Sequence, residues 1–148
     1  MKRIITVINL ALAIVLTGVV GCSSMHKSES TPPPKATPLQ GKWKGEEIGG
    51  STQGPCYLTI SGQTLEFRGA DSSEWYKGTF TLREDTKPAQ FIGKIDDCPY
   101  PQVIGASVYA IYEIKDGTLK LAGNEPGAPT APVSFDAAGA RQFVFKKE

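Results

Sequence analysis

The sequence predicts an all-β domain beginning at Leu39. From there the chain divides into short runs separated by Gly, Pro, Asn and Asp, no window longer than a turn or two repeats with a helical period, and apolar and polar residues alternate within the runs. The first run is Leu39 to Ile48. The second and third, Cys56 to Ile60 and Thr64 to Arg68, are joined by Ser61-Gly62-Gln63, a tight hairpin signal. The fourth, Trp75 to Arg83, alternates cleanly: Tyr76, Gly78, Phe80 and Leu82 share one face, and Lys77, Thr79, Thr81 and Arg83 the other. Gln90 to Asp96 and Ser107 to Ile114 follow. Lys115-Asp116-Gly117 turns the chain into Thr118 to Ala122, with the Asp-Gly pair favoured where both turn residues need positive φ. In that seventh run Leu119 and Leu121 oppose Thr118 and Lys120, and Arg141 to Lys147 is the eighth. Eight antiparallel runs, each with one apolar face, close most simply into an up-and-down barrel, which leaves no open edge; a sandwich is the alternative.

Ahead of the domain lies an export segment. Lys2 and Arg3 form a cationic head, and Ile4 to Val20 is apolar apart from Thr6, Asn9, Thr17 and Gly18. Val19-Val20-Gly21-Cys22 resembles the lipobox of bacterial lipoproteins, with a branched apolar residue three before the cysteine and a small residue directly before it. The resemblance implies that residues 1–21 are removed and that Cys22 carries a diacylglycerol, two chains giving stable anchoring where one is marginal. It implies a cell-envelope protein whose membrane partner is reached through the N-terminal lipid. Ser23 in place of Asp resembles the sorting signal for the outer membrane, where the organism has one. The alternatives are an uncleaved membrane helix, for which Ile4 to Val20 falls just short of the roughly 20 apolar residues needed, and an ordinary signal that leaves Cys22 a free thiol. Residues 22–38 read as an acylated cysteine and a polar tether stiffened by Pro32-Pro33-Pro34, and residues 39–148 as the barrel domain.

Removing the 21 residues Met1 to Gly21 from 148 leaves 127, room for one domain. It also takes two of 16 basic residues and leaves 14 against 15 acidic ones, a net charge near −1. The remaining cations are spread singly among acids along the chain, and no nucleic-acid partner is implied. In an exported chain three cysteines divide into one lipid carrier and one pair, so Cys56 and Cys98 are the candidate disulfide. Up-and-down order places both at one barrel rim, and closing the 42-residue loop between them is worth on the order of 4 kcal/mol. Two unpaired thiols are the other possibility.

The signs of catalysis are missing. The single histidine, His26, lies in the tether, so no hydroxyl or thiol of the domain has an imidazole base. Glu46-Glu47 and Asp96-Asp97 are adjacent in strands and point to opposite faces. Asp71, Glu74, Glu84 and Asp85 sit in or beside turns without metal-ligand spacing, and no Gly-rich phosphate loop occurs. A non-enzymatic protein without metal or cofactor is expected.

Leu39-Gln40-Gly41-Lys42-Trp43-Lys44, Ile111-Tyr112-Glu113-Ile114-Lys115-Asp116-Gly117-Thr118-Leu119-Lys120-Leu121 and Pro126-Gly127-Ala128-Pro129 together resemble an uncharacterised lipocalin-like bacterial domain family of planctomycete-type genomes. The likeness covers nearly all of Leu39 to Glu148; the Cys56 and Cys98 pair and Pro99-Tyr100-Pro101 depart from it. Gly41-x-Trp43 is similar to the G-x-W of true lipocalins, which implies that Trp43 plugs one barrel end under a cation from the last strand. Arg141 begins that strand at the wrong rim, whereas Lys146 or Lys147 lies at the right end. An eight-stranded barrel can hold a small ligand or be filled by its own side chains. Two functions follow: a carrier of a small apolar or amphipathic ligand, or a filled barrel acting on an envelope protein as inhibitor or assembly factor. Either would use the rim opposite Trp43, with the loops Gly49 to Pro55 and Asp97 to Gly105, where Tyr100 is the candidate contact.

Overall fold

The computed structural model describes Thr37–Glu148 and lays down eight strands, β1 (Gly41–Ile48), β2 (Cys56–Ser61), β3 (Thr64–Arg68), β4 (Trp75–Arg83), β5 (Ala89–Asp97), β6 (Ser107–Lys115), β7 (Thr118–Gly123) and β8 (Arg141–Lys147). They form a closed antiparallel barrel in sequence order. The export segment, Cys22 with its expected lipid, His26 and most of the tether lie outside the described residues.

Turn chemistry sets the register. Asp116 and Gly117, at φ 50° and 70°, join β6 to β7 in two residues, and Gly62 at φ 59° does the same between β2 and β3. With register pinned, the period of two fixes which side chains face inward. Trp43, Leu58, Phe67, Phe80, Phe91, Ala110, Leu119 and Phe145 come from eight different strands and pack into one interior cluster. Closure runs through β1 and β8, paired from Trp43 opposite Lys147 to Ile48 opposite Gln142. Gly45 makes this seam possible, because a Cβ there would strike the Val144 carbonyl and the Phe145 backbone. All eight strands are paired on both sides and the core lies within Leu39–Phe145, so the described residues form a self-contained folding unit.

The two ends of the barrel differ. At one end β1, β3, β5 and β7 start and the connections are two, five and two residues long; at the other the connections are seven, six, nine and seventeen. Trp43 fills the short-turn end, 1% exposed, and its Nε1 donates to the Leu39 carbonyl at 2.8 Å. The Lys147 ammonium lies 5.4 Å from the Trp43 ring centroid. The long connection Asn124–Ala140 starts by hydrogen-bonding along β6, Asn124 N to Tyr109 O and Gly127 N to Ser107 O. On that flank Ile111 and Ala122 oppose each other and are buried outside the interior cluster.

Candidate functional site: an apolar cavity under the loop rim

Three small inward residues stand on adjacent strands: Gly93 on β5, Ala110 on β6 and Gly123 on β7, the last two directly opposite each other. The room they leave is a cavity of about 150 Å³, walled by Leu58, Leu65, Phe67, Phe91, Phe143 and Phe145. The nearest atoms a Cβ on Gly93 would meet are those of Phe91, Leu65 and Val108, at 3.6–3.9 Å, which are ordinary contact distances, so a side chain could enter here without a clash at its Cβ. The cavity reaches the rim carrying the long connections, where Tyr76, Asn124, Glu125, Pro126 and Arg141 line it.

An aromatic series leads from floor to mouth. Phe145 stacks on Phe143 at 5.9 Å, Phe143 meets Phe67 edge-on at 5.3 Å, and Phe67 is 6.2 Å from Tyr76. Arg141 caps it, its guanidinium 5.2 Å from the Phe143 centroid. That cap is held from two sides. Nε and Nη2 donate to the two Glu47 oxygens at 2.7 Å each, and Nη1 donates to Glu74 Oε1 at 2.5 Å. Glu47 lies on β1, the neighbour of β8, whereas Glu74 directly precedes β4, four strands away on an eight-stranded ring. The Arg141–Glu74 pair therefore spans the mouth. The bidentate hydrogen bonds hold the Glu47 carboxyl below its ordinary range and raise Arg141 further above neutrality. Burial pushes the Tyr76 hydroxyl up, and the charge of Glu74 adds to this.

Cys56 and Cys98 both sit at this rim, but the expected disulfide is not there: both are free, buried thiols. The barrel explains the correction. Cys56 opens β2 and Cys98 directly follows β5, and two strands separate these, so the strands that carry them stand three spacings apart, roughly 14 Å along the wall, whereas a bridge needs Cα atoms within about 7 Å. The Cys98 thiol instead donates to the Tyr100 carbonyl at 3.2 Å. Burial pushes the Cys56 thiol up, with Glu47 and Glu74 adding to it.

Trp43 lies at the opposite end and does not line the cavity. Tyr100 is at the mouth but folds onto Tyr76, at 6.2 Å, and does not line the cavity. The residues that sequence reasoning missed are Gly93, Gly123, Arg141, Glu47 and Glu74. For the glycines a signal existed: Phe91, Gly93, Ile95 and Leu119, Leu121, Gly123 are inward alternations each containing one empty position. The site offers an apolar chamber with a polar mouth, which suits binding. Among the described residues no group of three His, Cys, Asp or Glu could hold a metal ion. No known protein family, curated protein or solved structure matches the chain.

Proposed function

We propose that the barrel carries a small apolar or amphipathic molecule, in the manner of a lipocalin-like domain, at a cell envelope to which a lipid on Cys22 holds it. The observation that carries this reading is the cavity: about 150 Å³, apolar in its walls and open at the loop rim. An apolar space of that volume accepts a benzene-sized solute. It is below the 300 Å³ or more of drug-sized pockets, so the ligand is a single ring or a short acyl chain. A longer ligand would leave its polar part outside, beside Asn124, Glu125 and Arg141. The site's part is binding and release, with no covalent step.

The competing reading, a protein partner at the mouth, is motivated by Ile48 and Ile104, each 47% exposed near that rim. Native mass spectrometry on protein purified from its own envelope, beside a Gly93→Leu variant, separates the two. Carriage predicts a retained small-molecule mass in the wild type and its absence in the variant, with stability changed by no more than about 1–3 kcal/mol. Bare protein in both, together with no toluene-induced shift in the amide resonances of Phe67, Phe91 and Phe143, would sink the carrier reading.

A further inference from the structure

The cavity has two unlike walls that face each other across the ring. On β5, β6 and β7 stand Gly93, Ala110 and Gly123, which leave nearly bare backbone over two strand spacings, roughly 10 Å. In the closed order these strands lie four places from β1, β2 and β3, so the bare wall looks towards them. There the opposite wall is made of rings. Gly45 on β1 has no side chain, and the Phe145 ring takes its place, with Cδ1 2.7 Å from where a Gly45 Cβ would stand. Phe143 on β8 and Phe67 on β3 belong to strands three spacings apart, roughly 14 Å along the wall, yet their ring centroids are 5.3 Å apart, edge to face. Phe91 and Tyr76 join the lining, so four of the six phenylalanines of the chain surround a space of about 150 Å³, with Leu58, Leu65 and Leu121 between them. These rings are braced by one another and by the core: Phe91 stacks on Phe80 at 4.7 Å and Phe143 on Phe145 at 5.9 Å.

We propose that the molecule this cavity takes is a single aromatic ring, in preference to a saturated ring or an acyl chain of the same size. The proposal rests on the carrier reading above and narrows it to one ligand class. A wall of bare backbone opposite a wall of rings makes a slot, and a flat guest fills a slot better than a puckered one. Aromatic faces and edges carry opposite partial charge, so a guest ring can set its edge against one phenyl face or its face against one phenyl edge. A saturated guest gains nothing from that pairing, and leucines of similar volume would serve it as well. Order favours the ring too. The braced phenylalanines have little freedom left to lose, and a single ring has no internal torsion to freeze, whereas a chain gives up several. At the rim Tyr76 and Asn124 line the opening, so a hydroxyl or carbonyl substituent on the ring meets hydrogen-bonding groups there.

The test titrates the Thr37–Glu148 domain, verified as folded by near-ultraviolet circular dichroism, with three alcohols of equal carbon count: benzyl alcohol, cyclohexylmethanol and 1-heptanol. Binding is followed at the amide resonances of Phe67, Phe91 and Phe143. Each affinity is divided by that alcohol's own partition coefficient from water into alkane, which removes the plain hydrophobic difference between them. The corrected affinity of benzyl alcohol should exceed the other two by roughly two- to twelvefold, the equivalent of one aligned ring pair. Phe67→Leu and Phe143→Leu should each reduce that ratio, while Leu65→Met, in the same lining, should leave it unchanged. The wild-type ratio answers the question by itself if a phenylalanine variant fails to fold. Equal corrected affinities, a preference for either saturated alcohol, or a ratio unmoved by both phenylalanine variants would overturn the proposal and leave the carrier reading standing. Binding of none of the three would overturn both.

Discussion

At the plugged end of the barrel, connections of two, five and two residues leave the strands little freedom, and Trp43 fills the space between them; at the mouth, connections of six to seventeen residues surround a cavity. The ends share eight strands, yet one is filled by large inward residues and the other is thinned by small ones on three neighbouring strands. Trp43, Leu119, Tyr112 and Phe145 crowd the first, whereas Gly93, Ala110 and Gly123 thin the second. Packing density sets stability and emptiness sets capacity. The barrel separates the two along its axis, so the space that could hold a ligand costs the plugged half nothing.

This contrast is sharpest in truncations. Trp43→Ala removes the largest fully buried side chain and its hydrogen bond to Leu39, and should lower stability by about 3–5 kcal/mol in urea denaturation. Leu65→Ala, beside a space already empty and only half-buried, should cost about 1–2 kcal/mol. Equal costs would mean that the cavity wall is packed as tightly as the plug.

Next in size is the strut across the mouth. Arg141→Met leaves Glu47 and Glu74 facing each other without their cation. Breaking a fully buried pair in this way costs 3–5 kcal/mol, and because the Arg141 side chain is 32% exposed the expected loss is about 1–3 kcal/mol. The pH dependence identifies the cause. The folded-state Glu47 is held below its ordinary value of 4.5, so its contribution is present above that value and disappears as pH falls through the lower folded one. Urea midpoints measured from pH 7 down to pH 3 should therefore fall less steeply in Arg141→Met than in the wild type. Parallel curves would show that the pair is a bystander.

How much of this was open to a reader of the sequence depends on the range of the interaction. Strand positions are local: Tyr76, Gly78, Phe80 and Leu82 reveal their face by alternation alone, Asp116-Gly117 reveals its turn, and all eight strands lie within two residues of where the pattern put them. The divergence of Glu46 and Glu47 is local too, Glu47 turning in to Arg141 while Glu46 stays exposed. The clamp is not, because its residues are 94 and 67 positions apart and meet only after the ring closes. The cavity lies between these cases: each empty position could be read within its own strand, but the void exists only because β5, β6 and β7 are neighbours in register. The cysteines show the opposite failure. Compartment logic favoured a bridge between Cys56 and Cys98, and that logic carries no information about three intervening strand spacings.

The smallest expected effect tests whether the plug depends on its cation. Lys147 pairs with Trp43 across the β1–β8 seam, and its ammonium stands 5.4 Å from the indole centroid while its head remains in solvent. Such exposed contacts are worth about 0.5–1 kcal/mol. Lys147→Met keeps the aliphatic stem over the ring and removes the charge together with a long, exposed hydrogen bond from the ammonium to the Pro38 carbonyl at 3.4 Å, so it should cost about that much. Lys147→Arg, whose planar guanidinium stacks on an aromatic face better than an ammonium does, should be neutral or slightly stabilising. A loss approaching that of Trp43→Ala would mean that the lysine closes the end of the barrel and the tryptophan merely supports it. The burial of the two residues argues for the reverse: the ring is 1% exposed and the lysine lies outside it, so the cation adjusts a closure that the indole already provides.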